Sequence, residues 1–427
     1  MTAAILFGSL AGFLIFNVPV GIAIGMACML TIMTFGTVSG LYISQTLVSA
    51  TDSFPIMAIP LFILAGDLMG AGGVSRRILD VAQAFFGRVT GGLAIVTVVV
   101  CMFFAAVSGS GPATVAAVGS MVVPSMLRAG YSKPFVLALL ATAGSIGVII
   151  PPSIPMVLYG VSTGTSISSL FLAGAGPGIL IGLVLIVYVY FYSKKMGWSG
   201  DPTPFNGTRA MKVTWDAKWA LLNPFIILGG IYAGVFTPTE AAAVAAVYAF
   251  ICGVFIYGDL KPKEIFSVIS GSCVTIGTVM VILGCASTFA RILTIEQIPG
   301  AIADGMLTIS DNPIVVLIII NALLLLVGCV MDTTPAILVL APILYPVATS
   351  LGIDPVHFGI IMVVNLAIGF ITPPLGINLF VAARIGDTTL SQVIKGIVPF
   401  VLAMILSLLI ITYVPGVSLG PLHLMGR

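Results

Sequence analysis

The stretch GVIIPPSIPMVLYG, residues 147–160, places a glycine and two consecutive prolines inside an apolar run, and GFITPPLG at 369–376 repeats the pattern. Proline lacks an N–H donor and clashes with the preceding helical turn, so a helix through either stretch must break. Lipid cannot satisfy the backbone groups that a break exposes, and such backbone persists only beside protein or a polar cavity. The two stretches therefore predict a pair of broken membrane helices next to a polar site.

The composition of the chain indicates an integral membrane protein. Of 427 residues, 59% are hydrophobic and only 7% are charged, whereas a soluble domain carries about 25% charged residues. The net charge of +2 provides no basic surface for nucleic acid, and the sequence contains no HExxH, GxSxG or Walker A motif. We therefore predict an all-α polytopic protein in a lipid bilayer that is neither an enzyme nor a nucleic-acid binder.

Glycine and proline recur in the same order in the two halves of the chain. Because these residues fix backbone geometry, their recurrence predicts two copies of one irregular shape. The matched pairs are Pro112 and Pro335, Pro124 and Pro346, Gly147 and Gly369, Gly164 and Gly386, Gly174 and Gly396, and Pro177 and Pro399.

The apolar segments and their interruptions predict a similar series of elements in each half. In the first repeat, residues 1–193, we predict helices at 3–16, 19–36 and 41–70, an interfacial arm helix at 73–88 with Ser75 as N-cap, a re-entrant hairpin at 90–127, a broken helix at 134–165 and a helix at 175–193. A cytoplasmic linker, 194–218, leads to the second repeat, residues 219–427. This repeat comprises predicted helices at 219–236, 239–257 and 264–294, a hairpin at 313–350, a broken helix at 357–384 and a helix at 397–415.

The distribution of basic residues predicts that the second repeat is inverted. A hairpin returns to its own side of the membrane, so each half crosses five times. With the N-terminus outside, every basic residue except Arg291 and Arg427 falls on the inner side, as the positive-inside rule requires. If the hairpins crossed fully, several basic loops would change sides.

Four irregular segments collect hydroxyl groups and freed carbonyls. The hairpin tips are SGSGPAT at 108–114 and GCVMDTTP at 328–335, and the breaks facing them lie at 147–153 and 369–374. Interrupted helices in matching positions of inverted halves are typical of the substrate and ion sites of secondary transporters. Hydroxyl and carbonyl oxygens suit an alkali cation, and helix N-termini suit an anionic group. Without an ATP-binding motif, transport would draw on an ion gradient, and a single acid at the tips favours sodium over protons.

Two ionisable residues stand out within apolar stretches. Asp332, at the second tip, is expected to bind an ion or act as a gate, or else to hydrogen-bond within the tip. Arg291 lies near the outer end of its helix, where it would either extend to the membrane surface or pair with a substrate carboxylate.

Six runs of the chain resemble the large membrane subunit of TRAP transporters, the DctM-type M subunit of the ion-transporter superfamily. The resemblance covers nearly the whole chain, is most specific in the DPVHFG and TPPLG blocks, and extends to the sialic-acid branch. The runs are FPIMAIPLFILAGDLM (54–69), SGSGPATVAAVGSMVVPSM (108–126), GVIIPPSIPMVLYG (147–160), FLAGAGPGIL (171–180), MDTTPAILVLAPILYP (331–346) and GIDPVHFGIIMVVNLAIGFITPPLG (352–376).

The resemblance implies an elevator-type transporter with about two coupling sodium ions and the substrate between the hairpin tips. It implies a first sodium site at Ser108, Gly109, Ser110, Gly111, Pro151, Pro152 and Ser153, and a second at Asp332, Thr333, Thr334, Gly369 and Thr372. The residues expected to contact substrate are Ser110, Thr114, Arg291 and Asp332.

The resemblance also implies a location and partners. These are a bacterial cytoplasmic (inner) membrane, a small Q-type membrane subunit, and a soluble periplasmic P-type binding protein that delivers a small carboxylate, either sialic acid or a C4-dicarboxylate. A stand-alone dicarboxylate or citrate symporter of the same superfamily is the alternative, and uptake by this chain alone would indicate it. Two alternatives come from other classes. A membrane-embedded lipid-modifying transferase would need clustered catalytic carboxylates or histidines, and the sequence shows one buried Asp and no buried His pair. A passive channel would be indicated by electrogenic flux that does not saturate.

Overall fold

The computed structural model describes residues 2–16, 18–35, 40–200, 206–309 and 312–425. Its regular elements in these ranges are all helical, so the predicted all-α fold is confirmed. Residue 36 of one predicted helix and residues 201–205 of the predicted linker lie outside the described residues. The helices are α1 (Thr2–Ile15), α2 (Val20–Phe35), α3 (Gly40–Thr51), α4 (Ala58–Ala71), α5 (Val74–Phe86), α6 (Gly92–Ser108), α7 (Gly111–Arg128), α8 (Lys133–Ser145), α9 (Ile154–Thr163), α10 (Ile167–Met196), α11 (Gly207–Asp216), α12 (Lys218–Tyr232), α13 (Pro238–Ile251), α14 (Pro262–Ile295), α15 (Ile298–Ile309), α16 (Pro313–Gly328), α17 (Thr333–Ser350), α18 (Pro355–Gly369), α19 (Ile377–Ile385), α20 (Leu390–Tyr413) and α21 (Gly416–Leu424).

Several helices are long and apolar enough to cross a bilayer, as a polytopic protein requires. In the described part of the chain there are 6 such segments, and the shorter apolar helices include both halves of the first broken helix. The six are Phe54–Ala71, Ile167–Met196, Pro238–Ile256, Pro262–Ile295, Thr333–Ser350 and Leu390–Tyr413. The first begins with a 3-10 turn at Phe54–Met57, and the third ends in a π-helical turn at Cys252–Ile256.

Three predicted helices have different bounds in the structure. The predicted helix 41–70 is divided, because α3 ends at Thr51 and the chain re-enters helix only at Phe54. Ser53 is extended and Pro55 lies in the first turn of the new helical segment, where proline is tolerated because no N–H donor is needed there. The helices predicted from 175 and from 397 begin earlier, at Ile167 and Leu390, and run through their internal prolines.

The arm helix α5 follows α4 after a two-residue link and has one strongly apolar face. Its predicted N-cap, Ser75, is wrong: the helix begins at Val74, and the N-cap is Gly73 in the left-handed conformation with φ of 74°. Glycine has no Cβ and adopts this conformation at little cost. Arg77 of α5 pairs with Asp259 and lies 3.7 Å from the centre of the Tyr257 ring, which fastens the arm to the loop before α14.

Both hairpins and both broken helices are present as pairs of helices. In the first hairpin, α6 and α7 are joined by Gly109 and Ser110, and in the second, α16 and α17 are joined by residues 329–332. The broken helices are α8 with α9, interrupted at 146–153, and α18 with α19, interrupted at 370–376. The peptide bond within each double proline is cis. The re-entrant placement of the hairpins in a bilayer stays a prediction.

The two broken helices run in opposite directions. At one end, the Lys133 Nζ at the start of α8 donates to the carbonyl of Asp387, just past the end of α19, at 3.1 Å. At the other end, the Tyr159 hydroxyl on α9 donates to the carbonyl of Pro355, the first residue of α18, at 2.8 Å. The start of each copy therefore lies beside the end of the other, which is the arrangement that inverted repeats produce.

The packing between the two halves is reciprocal. Helix α7 of the first hairpin packs against α8 and against α19 of the other half, while α17 packs against α18 and against α9. A second group of helices contacts this bundle from outside, through α4 on α6 and α14 on α17, and its members pack on one another, with α4 on α13 and with α2 and α3 on α14. We refer to the hairpins with the broken helices as the core bundle, and to α1–α4 with α12–α14 as the outer layer.

Candidate functional site

The first hairpin tip is held by hydrogen bonds among its own hydroxyl groups. Ser110 is the N-cap of α7, and the left-handed Gly109 before it, with φ of 61°, reverses the chain. The Thr114 hydroxyl donates to the carbonyl of Ser110 at 2.8 Å and lies 3.0 Å from the hydroxyl of Ser108. The tip is therefore a small rigid turn with Ser108 and Thr114 buried behind it.

The first break presents the N-terminus of α9 to this tip. The Ser153 hydroxyl donates to the carbonyl of Val148 at 2.5 Å and accepts from the backbone N–H of Met156 at 3.4 Å. It thus bridges the two sides of the break and caps α9. The backbone N–H of Ile154 donates to the carbonyl of Gly109 at 3.4 Å, so main chain joins the break to the tip.

The second tip is built around a capping carboxylate. The Asp332 side chain accepts from the backbone N–H of Thr333 at 2.7 Å at the N-terminus of α17. A carboxylate at a helix N-terminus is stabilised by the positive end of the helix dipole. The hydrogen bonding predicted for Asp332 within its tip is therefore present, and its role as an ion ligand or gate stays a prediction.

The second break contacts the second tip through a backbone hydrogen bond and through close approach of the two main chains. The backbone N–H of Leu375 donates to the carbonyl of Cys329 at 3.1 Å, matching the contact between the first break and tip. At the end of α18, a Cβ added to Gly369 would lie 2.3 Å from the carbonyl oxygen of Gly328. The Thr372 hydroxyl donates to Ile368 O at 2.8 Å. Close approach of the two main chains therefore requires glycine here.

The two tips meet at one cavity of about 340 Å³ between the core bundle and the outer layer. Three helix N-termini open onto it: those of α7, α9 and α17. The positive end of each helix dipole favours a negative charge, and at α17 the Asp332 carboxylate already lies at that end. The lining residues are Ile63, Gly66, Asp67, Ser108, Gly109, Ser110, Pro112, Ala113, Val148, Ile154, Pro155, Thr275, Val279, Asp332, Thr333, Thr334 and Phe370.

The structure brings together most, but not all, of the predicted site residues. Ser108, Gly109, Ser110, Asp332, Thr333 and Thr334 line the cavity directly. Gly111, Pro151, Pro152, Ser153, Gly369 and Thr372 lie in the tips and breaks behind it.

Two predicted substrate contacts do not line the cavity in this conformation. Thr114 is fully buried and is engaged within its own tip. Arg291 is exposed on α14, about 24 Å along the helix from Thr275 at a rise of about 1.5 Å per residue.

Sequence reasoning missed Asp67, which lies on α4 and lines the cavity. The Ser272 hydroxyl of α14 donates to the Asp67 carboxylate at 2.6 Å. The available signal was the charge itself, because an acidic residue inside an apolar run such as 54–71 indicates a functional position in a membrane protein. The cavity thus has an acidic residue on its outer-layer side as well as Asp332 on its bundle side.

A cavity that combines three convergent helix N-termini with hydroxyl groups, set in a helical membrane fold, is suited to a small organic anion. Comparison with known proteins agrees with this chemistry. Residues 7–417 match the family model described as "Tripartite ATP-independent periplasmic transporter, DctM component". The chain belongs to this family.

Relatives of this DctM-family chain are named as transporter permeases, not enzymes. It is 49% identical over 415 residues to the isethionate TRAP transporter permease protein DctMQ of Oleidesulfovibrio alaskensis, with 97% of this chain covered but only 65% of that protein's length. It is 43% identical to the C4-dicarboxylate TRAP transporter large permease protein DctM of Pseudomonas aeruginosa, covering 93% of each chain. The sialic acid TRAP transporter large permease protein SiaM of Vibrio cholerae is 37% identical, with 96% of this chain and 95% of that protein covered. These identities do not single out the sialic-acid branch.

A solved structure supports the fold of this DctM-family protein. The YdaH transporter of Alcanivorax borkumensis superimposes with a TM-score of 0.61 at 18% sequence identity, and the match covers 88% of both chains. At this identity the similarity concerns the fold alone.

Proposed function

We propose that this TRAP large permease subunit is the translocating subunit of a sodium-coupled importer of a small organic anion. The observation that carries the proposal is the cavity at which the N-termini of α7, α9 and α17 meet. At each N-terminus the helix dipole places about half a positive charge, although the first amides of α9 are already bonded to Gly109 and Ser153. A carboxylate or sulfonate between the tips would be stabilised by the dipoles of several helices at once. Relatives named for isethionate, C4-dicarboxylates and sialic acid transport substrates with such groups.

Sodium coupling is supported by the oxygen-rich junctions beside the cavity. Each tip is joined to its break by a single backbone hydrogen bond, Ile154 to Gly109 and Leu375 to Cys329. The remaining carbonyls and hydroxyls around these junctions are hard oxygen ligands of the kind that discontinuous helices supply to sodium in transporters. We propose one sodium ion at each junction. Each ion entering through 100 mV would release about 2.3 kcal/mol.

An elevator movement is supported by the division between the core bundle and the outer layer. The cavity is bounded on one side by tips and breaks and on the other by α4 and α14. The short helices α5 and α15 link the outer layer to the two hairpins, and a change in their tilt would accompany the movement. The core bundle would slide along α4 and α14, carrying substrate and ions between the two sides of the membrane.

The proposed assembly includes a small Q-type membrane subunit and a periplasmic P-type binding protein in a bacterial inner membrane, with the N-terminus outside. The relative named DctMQ is longer than this chain, in accord with a small subunit joined to the large one in that protein. In this assembly the binding protein delivers the anion to the outer face of the core bundle.

Reconstitution tests this proposal directly. Proteoliposomes containing this chain, its cognate small subunit and binding protein are supplied with radiolabelled isethionate, succinate or sialic acid, with a sodium gradient or with potassium substituted. Uptake of one anion that requires sodium and both partners is the expected result. Sodium-independent uptake would refute the coupling, and uptake by this chain alone would indicate the stand-alone symporter.

A further inference from the structure

Asp67 and Arg291 occupy equivalent positions in the two repeats. Helix α4 ends at Ala71 and α14 at Ile295, so Asp67 and Arg291 each lie in the last turn but one of their helices. In each half, a two-residue link follows, and its second residue is left-handed: Gly73 with φ of 74° and Gln297 with φ of 53°. The next helix then begins at once, α5 or α15. The matching helix ends, links and left-handed residues align the two repeats so that Asp67 corresponds to Arg291.

In the conformation described here, the core bundle sits against the α4 member of this pair. A Cβ added to Gly66 would lie 3.0 Å from the Cα of Ser108, so the first tip packs directly on α4 beside Asp67. The equivalent surface on α14 is not occupied by a tip. Ala290, which corresponds to Gly66, is partly exposed, and Arg291 is exposed.

We propose that these two surfaces are the end points of the elevator movement, with an arginine where the anion is loaded and an aspartate where it is released. This rests on the elevator proposed above. Inverted repeats relate the two end states approximately by a two-fold rotation about an axis in the membrane plane, with α4 and α14 exchanging roles. A core bundle that meets Gly66 and Asp67 in one state would therefore meet Ala290 and Arg291 in the other.

The charges at the two surfaces have opposite effects on an anionic substrate. Arg291 would attract a carboxylate or sulfonate brought to the outer end of α14. Asp67, at the end of α4 that leads to the basic arm helix and hence the cytoplasmic side, would repel the same group while favouring the exit of the anion. Arg291 and Asp67 thus occupy equivalent positions with opposite charges, and this difference favours movement of the anion from outside to inside.

A purely structural role for Asp67 makes a different prediction. If the carboxylate only ties α4 to α14 through Ser272, then Ser272→Ala would act like Asp67→Asn. Under the proposal, Ser272→Ala leaves the sidedness of substrate affinity unchanged, because the charge that faces the cavity remains.

Paired cysteines test the two end points without reference to the substrate. In a variant lacking the six native cysteines, Gly66→Cys with Ser108→Cys should form a disulfide in the state described here. A Cβ at Gly66 would lie 3.4 Å from that of Ser108, close to the roughly 3.5–4.5 Å found in disulfides. Ala290→Cys with Met331→Cys, the equivalent pair, should cross-link in the opposite state. Failure of the second pair under every sodium and substrate condition, with the first pair forming, would overturn the symmetrical end points.

Transport measured from each side tests the charges in the reconstituted complex. Arg291→Gln should raise the KM for uptake from outside on the order of tenfold, the effect of one charge about 6 Å away at an effective dielectric near 40. Asp67→Asn should lower the KM measured from the inside by a similar factor and slow net release. Lys263→Gln on the same helix α14 and Asp80→Asn on α5 serve as controls expected to change neither.

The outcomes separate this inference from the proposed function. If both variants shift KM on the same side, or if Ser272→Ala reproduces Asp67→Asn, the assignment of loading and release is wrong while sodium-coupled uptake stands. If the unmodified complex shows no sodium-dependent uptake of any of the three anions, the failure lies with the proposed function.

Discussion

Replacing Gly369 by alanine tests whether the second tip and its break must touch through main chain. The added Cβ would lie 2.3 Å from the carbonyl oxygen and 2.6 Å from the Cα of Gly328, whereas unstrained contacts between such atoms are about 3.5 Å. Both atoms belong to main chain, so no flexible side chain can move away. The tip would have to retreat by about 1 Å to restore ordinary contact.

The cost of Gly369→Ala can be estimated from two contributions. Inserting a methyl group into packed structure costs about 1–3 kcal/mol, and the upper end applies because the obstacle is backbone. Retreat of the tip would also break the 3.1 Å hydrogen bond from Leu375 to Cys329, worth about 1 kcal/mol. We therefore expect Gly369→Ala to lower the free energy of unfolding by about 3–4 kcal/mol. The destabilisation should be localised at the contact between the second tip and its break.

The assay is thermal unfolding of the purified chain with and without sodium. Sodium at about 100 times its Kd would stabilise the wild-type chain by about 2.7 kcal/mol per site. Gly369→Ala should lower the apparent Tm without sodium, and sodium should stabilise this variant less than it stabilises the wild type. Gly271→Ala on α14 is the matched control, since nothing lies within 4 Å of its added Cβ. Alanine there should be neutral or stabilise by about 0.5–1 kcal/mol. If Gly369→Ala has the same Tm as the wild type and the same stabilisation by sodium, the backbone contact is refuted.

Three further substitutions test separate parts of the structure. Asp332→Asn keeps a good N-cap and should hold stability within about 0.5 kcal/mol, yet lower sodium affinity at least about tenfold by removing one charge; unchanged affinity in a sodium titration would exclude it as an ion ligand. Ser153→Ala removes the cap of α9 and should cost about 1–2 kcal/mol in thermal unfolding, whereas Ser153→Thr should retain most stability. Tyr159→Phe removes the hydrogen bond to the Pro355 carbonyl that joins the two repeats, and should cost about 1 kcal/mol without altering sodium affinity.

The hairpins and broken helices could be predicted from the sequence because glycine and proline act locally. The double prolines at 151–152 and 373–374 force the breaks wherever the rest of the chain lies. Their repeated order predicted two copies of one shape, and the distribution of basic residues predicted the inversion that the contacts of Lys133 and Tyr159 display. Backbone restrictions of this kind need no knowledge of tertiary neighbours.

The remaining features depend on contacts between distant parts of the chain. Asp67 meets Ser272 across more than two hundred residues, and no local pattern places both at the tips. The second arm helix α15 was not predicted because its link begins with a left-handed Gln297, a conformation that sequence rarely signals outside glycine. Arg291 was predicted as a substrate contact from its type and depth, but where the tips lie along α14 is set by tertiary packing, which the sequence does not reveal.

The junctions of tip and break have a consequence for how such permeases diversify. The hydrogen bonds that join tip to break, Ile154 to Gly109 and Leu375 to Cys329, run between main-chain atoms, so they do not depend on which side chains line the rest of the cavity. Substitutions at those lining positions can change which anion is accepted while the tips and breaks stay in contact. The same backbone could in this way bind different anions after only a few substitutions at the cavity wall.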